Sequence, residues 1–156
     1  MLLSLSYFTP EGSFELGGRY AFSENAALVV NYLSQTINPI TISDLNVAGR
    51  YKLNLGEQLA IVAEAGLIME TITISGLGST TGTFTTITAQ AEYKTSDMFT
   101  INGGVIMLNG EGLPSSTTFR VGAELKPIKQ LTVGLDYNIP SSGGNGIILL
   151  DVTYSL

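Results

Sequence analysis

The chain has 156 residues, room for a single domain over 1–156. Apolar residues make up 44% and charged residues 13%, about half the charged share of soluble domains, yet no run approaches the ~18 apolar residues of a membrane helix. The absence of Cys and His excludes disulfides, thiolate and imidazole metal sites, a Cys nucleophile and a Ser-His-Asp triad, and a net charge of −6 argues against a nucleic-acid footprint. Residues 1–8 have neither a basic n-region nor a small-residue cleavage site, so no targeting segment is expected there.

Period-two alternation runs through the chain and helical periodicity is nearly absent. In chain order it predicts ten strands: 2–8, 13–22, 26–34, 42–53, 59–70, 85–94, 98–108, 117–126, 131–139 and 146–156. Most are long enough to cross a bilayer core at a tilt, which takes roughly 9–11 residues. The connections alternate in kind. Ser23 to Asn25, Asn54 to Gln58, Thr95 to Asp97 and Pro127 to Gln130 are tight and polar. Gln35 to Thr41, Thr71 to Thr83, Asn109 to Ser116 and Pro140 to Asn145 are longer and rich in Thr, Ser, Gly and Pro, while Thr9 to Gly12 is short. Tight turns at one end and longer loops at the other fit an up-and-down meander. A weak repeat supports hairpins as the unit: Gly18-Arg19-Tyr20-Ala21, Gly49-Arg50-Tyr51-Lys52, Ala91-Glu92-Tyr93-Lys94 and Ala123-Glu124-Leu125-Lys126 each precede a tight turn.

Sorting side chains by parity separates two faces. In 13–22, Phe14, Leu16, Tyr20 and Phe22 oppose Glu15, Arg19 and Ala21. In 42–53, Leu45, Val47, Tyr51 and Leu53 oppose Asp44, Asn46, Arg50 and Lys52. Every strand-borne charge falls opposite the apolar face: Glu15, Arg19, Asp44, Arg50, Lys52, Glu64, Glu70, Glu92, Lys94, Arg120, Glu124, Lys126, Asp136 and Asp151. The aromatics fall on the apolar face, except Phe8 and Phe84, and at two heights. Tyr20, Phe22, Tyr51, Tyr93, Phe99 and Tyr154 lie near the tight turns, and Tyr7, Phe14, Tyr32, Phe119 and Tyr137 toward the loops. Two aromatic girdles around an aliphatic band suit a lipid-facing exterior, where Tyr keeps its ring in the apolar layer and its hydroxyl among headgroups. The alternative is a soluble β-barrel with the apolar face inside, binding an apolar ligand. It would have to find partners for seven buried Tyr hydroxyls, and its outer face would be Thr, Asn, Gly and Ala rather than the usual Lys and Glu.

In this architecture the chain resembles the small bacterial outer-membrane β-barrel proteins of the eight- to ten-stranded type. The resemblance implies an all-β, up-and-down antiparallel transmembrane barrel, ten-stranded here, with eight as the alternative if segment 2–8 and a neighbour fail. It implies an integral protein of a Gram-negative outer membrane with both termini periplasmic, membrane lipids or detergent as its surroundings, and a monomeric state. Members usually end on alternating aromatics. Tyr154 fits that pattern, and Leu156 stands where the terminal aromatic would be.

The inward face then carries a charge network: Glu15, Arg19, Asp44, Arg50, Lys52, Glu64, Glu92, Lys94, Arg120, Glu124, Lys126, Asp136 and Asp151. It can line a narrow, slightly cation-preferring pore, or it can pair internally and fill the lumen without conduction. The scarcity of space inside small barrels favours the second. No catalytic, cofactor or metal site is expected. Barrels resembling this one that hydrolyse lipids or proteins use a His, which is absent. Ser115, Ser116 and Ser142 read as loop residues, and Gly143-Gly144-Asn145-Gly146 precedes no helix that would cradle phosphate. Thr71 to Thr83 is expected as a solvated loop. Its Thr and Ile content leaves open a protruding hairpin able to pair with an unspecified partner.

Overall fold

A computed structural model describes residues 2–8, 13–110 and 115–155, with backbone alone for 2–8 and 13. The side chain of Tyr7, loop residues 9–12 and 111–114, and Leu156 lie outside the described residues.

Ten strands form one closed antiparallel barrel in which each strand pairs with its chain neighbours and β1 pairs with β10. They are β1 (Leu2–Phe8), β2 (Ser13–Ala21), β3 (Ala26–Ile37), β4 (Ile40–Asn54), β5 (Leu59–Ile74), β6 (Gly78–Lys94), β7 (Phe99–Gly110), β8 (Ser116–Ile128), β9 (Leu131–Pro140) and β10 (Ile147–Ser155). Closure leaves no free sheet edge. Following paired inward positions round the wall from Lys94 on β6 leads back to β6 at Gly82, a shear of 12 residues. For ten strands this shear tilts them by about 40°.

The apolar face is outside. Exposed large side chains include Leu16, Leu28, Val47, Ile61, Leu67, Ile101, Val121, Leu135 and Val152, together with every girdle aromatic whose side chain is described. Among the described residues the buried positions are Ala48, Ala60, Val62 and Gly134, with the polar Thr86, Glu92 and Asn102. A soluble barrel with an apolar core would have the reverse pattern, so that alternative fails. On β5 the outward apolar row runs from Leu59 to Met69, a height of about 25 Å at this rise and tilt, close to the apolar band of outer-membrane barrels. Within the girdles, Phe14 packs on Tyr32 at 6.2 Å between centroids, and Tyr20 meets Phe22 edge-on at 5.3 Å.

Two of the tight turns share a device. Ser23 Oγ accepts hydrogen bonds from the Asn25 and Ala26 amides (3.3 and 3.0 Å), and Ser96 Oγ accepts from Met98 and Phe99 (3.3 and 3.1 Å). In the turn after β4, Gly56 adopts φ +143°, a conformation side chains disfavour. Near the end of β8, Pro127 cannot donate to the ladder, and β8–β9 pairing skips from Leu125 to Ile128.

Two expected loops are strand. β3 and β4 pair as far as Ile37 and Ile40, and β5 and β6 as far as Ile74 and Gly78, so that Thr71 to Thr83 forms a hairpin with its turn at Ser75–Leu77 instead of a solvated loop. Here the faces exchange character. Ile42 pairs with Ile72 and Ile40 with Ile74 on the inner face, while Thr71 and Thr81 share a hydroxyl hydrogen bond of 3.1 Å on the outer face. The apolar-outward parity stops at Met69, and strand beyond it therefore reads as loop.

Candidate functional site

The lumen gathers the charges because each strand sends alternate residues inward. β4 places Arg50 opposite Glu64 of β5, and β6 brings Glu92 to the same wall. Arg50 Nη1 lies 2.5 Å from Glu64 Oε1 and its Nη2 lies 3.1 Å from Glu92 Oε1, while Lys52 Nζ reaches Glu92 Oε2 at 2.6 Å. Glu92 is thus held by two bases and is 9% exposed. Neighbouring Ala48 and Ala60 are small, which leaves the guanidinium room along the wall.

The rest of the expected network is arranged differently. Lys94 lines the tight-turn mouth of the lumen and pairs with Asp97 in the following turn at 2.6 Å. Asp97 lies outside the spanning strands, and the Lys94 hydrogen bond and charge hold its carboxyl below the usual range. Arg120 Nε donates to Asn138 Oδ1 at 3.1 Å, an amide partner in place of a carboxylate. Among the described residues, Glu15, Arg19, Asp44, Glu124, Lys126, Asp136 and Asp151 make no salt bridge. Asp136 lies across Gly122 and Asp151 across Gly134, where a Cβ on either glycine would overlap the carboxylate. Parity alone points Asn102 and Asn138 inward, but their types raise no flag in a sequence. The Gly–Asp pairing across strands depends on register, which no local pattern reveals.

The register circuit orders the acids. Read upward from the tight turns it passes Glu124, Gly134, Asp151, Ser6, Glu15, Leu33, Asp44 and Glu70. Five carboxylates thus wind up the wall toward the loop side. The bases Arg19, Arg50, Lys52, Lys94 and Lys126 all lie within the turn-side part of their strands, and Arg120 is the one strand-borne base higher up among the described residues. Among the described residues, four buried side-chain oxygens lack partners: Asp44 Oδ1, Asn46 Oδ1, Asn102 Oδ1 and Asp136 Oδ1.

Open space follows the same axis. A cavity of about 420 Å³ lies between Arg50, Lys52, Glu64 and Glu92 on one wall and Arg120, Glu124, Lys126 and Asp151 on the other. A second of about 330 Å³, sharing Lys52, Glu92, Glu124 and Lys126, opens at the tight-turn mouth. Toward the loops, about 140 Å³ remains among Glu15, Asn31, Leu33, Asp44, Asn46 and Ile68. Among the described residues no group of His, Cys, Asp and Glu is placed to hold a metal ion.

No protein-family model and no curated protein matches the sequence. Solved structures do match. The KdgM porin superposes with a TM-score of 0.63 at 12% identity, covering 100% of this chain and 99% of that one. The chain has the fold of the bacterial outer-membrane β-barrels. The NanC porin gives 0.58 at 9% identity over 99% of both chains, and the N-terminal β-barrel domain of Pseudomonas aeruginosa OprF gives 0.51 at 16%, covering 98% of this chain and 96% of the domain. One of the KdgM structures is a complex with disordered oligogalacturonate.

Proposed function

We propose that this chain is a small integral β-barrel of the bacterial outer membrane, with its termini on the periplasmic side, that forms a narrow, weakly cation-preferring aqueous passage and carries out no catalysis. The observation that carries the reading is the inversion of polarity: a continuous apolar outer band with two aromatic girdles, around a charged interior with cavities large enough for water. Lipid outside and water inside satisfies both faces. Full-length likeness to two porins supports a passage. The acid-rich loop half favours small cations, and it suits a polyanion such as the oligogalacturonate of the KdgM complex poorly.

A second reading, a structural barrel with a filled lumen, is favoured by the Arg50–Glu64–Glu92–Lys52 pairing. The test has two stages. The refolded chain should require detergent and show heat-modifiable gel mobility, and a monomer soluble without detergent refutes the membrane reading. In planar bilayers, single-channel steps with a reversal potential on the cation side support the passage, and silence selects the filled barrel.

A further inference from the structure

The lumen's charge is unequal from end to end. In the loop half, Glu15, Asp44, Glu70 and Asp136 face Arg120 alone among the strand-borne charges of the described residues, leaving a strong negative excess. In the turn half, Arg50 and Lys52 are neutralised by Glu64 and Glu92 and Lys94 by Asp97, while Arg19 and Lys126 balance Glu124 and Asp151, which line the same cavity. The unpartnered buried oxygens of Asp44, Asn46 and Asp136 are also acceptors in or beside the acidic half, and Asn102, 8% exposed, stands on the inward row that leads through Gly122 to Asp136. Every one of these groups attracts positive charge.

We propose that the passage rectifies, carrying more current when the loop side is held positive than when it is held negative. This rests on the reading of the lumen as a passage. In the acidic half nearly all mobile ions are cations, whereas in the balanced half both signs move. With the loop side positive, cations leave the acidic half faster than the balanced half carries them away. Anions arriving from the opposite mouth are stopped at the junction. Both accumulate and conductance rises. With the polarity reversed the same mismatch empties the junction, and conductance falls. The effect requires fixed charges that reach across the lumen, so it depends on the Debye length, ~30 Å at 0.01 M and ~3 Å at 1 M salt.

The test uses the full chain as single insertions in a planar bilayer. Leu77, 84% exposed at the hairpin tip, is replaced by Leu77→Cys, which gives a protein without native Cys one thiol to biotinylate. Bound streptavidin then holds the loops in the chamber of addition and fixes the orientation. In 10 mM KCl the currents at opposite voltages should differ by about twofold or more, larger with the loop side positive, and the ratio should approach one in 1 M KCl. A Glu15→Gln, Asp44→Asn, Glu70→Gln variant should conduct in 10 mM KCl with a ratio near one. Symmetric current from the unaltered lumen in 10 mM KCl, the opposite sign, or a ratio unmoved by salt overturns rectification and leaves the passage standing. If the triple variant does not insert, the salt series decides alone. Absence of any current overturns the passage itself, and rectification with it.

Discussion

Removing Arg50 tests whether the lumen charges act as one unit. Arg50→Ala leaves Glu64 without a base and Glu92 with Lys52 alone. Breaking a fully buried ion pair costs about 3–5 kcal/mol, and an exposed pair is worth about 0–1 kcal/mol. The side chains of Arg50, Glu64 and Glu92 are 20%, 22% and 11% exposed, and a cavity of about 420 Å³ lies beside them. Water entering that cavity solvates part of the orphaned charge, so a loss of about 2–3 kcal/mol is expected, between the two limits. Urea unfolding in lipid vesicles, followed by gel mobility because the chain has no Trp, reads the change. Glu64→Gln should cost less, since Glu92 still engages Arg50. The double variant should lose less than the two single losses together, because each deletion removes part of what the other removes. An unchanged midpoint for Arg50→Ala, or strict additivity, refutes the network.

Four other outcomes follow from the same geometry. Val121, 60% exposed near the middle of the outer band, should tolerate no charge: Val121→Lys should cost about 2–4 kcal/mol in vesicles, and a neutral result would mean the band does not face lipid. A Cβ on Gly66 would come within 2.6 Å of the Ala48 backbone, so Gly66→Ala should cost about 1–3 kcal/mol, whereas Gly103→Ala, with its nearest neighbour at 3.7 Å, should be nearly silent; equal unfolding midpoints contradict the register. Asp97 should titrate below an ordinary aspartate by NMR and return to the ordinary range in Lys94→Met; any stability from the pair is present above the ordinary pKa and fades as pH falls through the depressed one, and because Asp97 is fully exposed the midpoint at pH 7 should not move. The amides of Ile72, Thr80 and Gly82, which point across the β5–β6 ladder, should exchange slowly with solvent if the hairpin is paired strand, and fast exchange there would restore the solvated loop.

Ten strands and the direction of each face were legible in the sequence because alternation is local: one misplaced charge among Glu15, Arg19, Asp44 or Arg50 would have broken a strand's parity. The partners of those charges were less legible. Arg50 meets Glu64 by direct pairing, but its second contact, to Glu92, spans two strands, and it depends on turn lengths and on the 12-residue shear. The same dependence hides the placement of Asp136 over Gly122. Parity places Lys94 at the lumen mouth, but its carboxylate partner, Asp97 of the following turn, is not one that parity indicates.

The limit of parity at the loop side carries the strongest physical argument for a bilayer. β4, β5 and β6 continue past Ser43, Met69 and Thr85 with their pairing unbroken, yet the outer face turns polar in all three and the inner face turns aliphatic in β4 and β5. Below this level the outer row is Leu45, Leu67 and Ile87 and the inner row includes Arg50, Glu64 and Glu92. Above it the outer row is Thr41, Thr71 and Thr81 and the inner row Ile40, Ile42, Ile72 and Ile74. No bulge or register shift occurs there in β4, β5 or β6, so the backbone supplies no cause. A protein surrounded by water at every height gains nothing from the exchange. A protein whose outer wall leaves hydrocarbon about 25 Å above its tight turns gains at both levels, since Thr hydroxyls meet water above and aliphatic groups meet lipid below. The reversal in β4 and β5, matched on the outer face of β6, is therefore a record of the solvent outside the barrel, written in the choice between Ile and Thr at alternate positions.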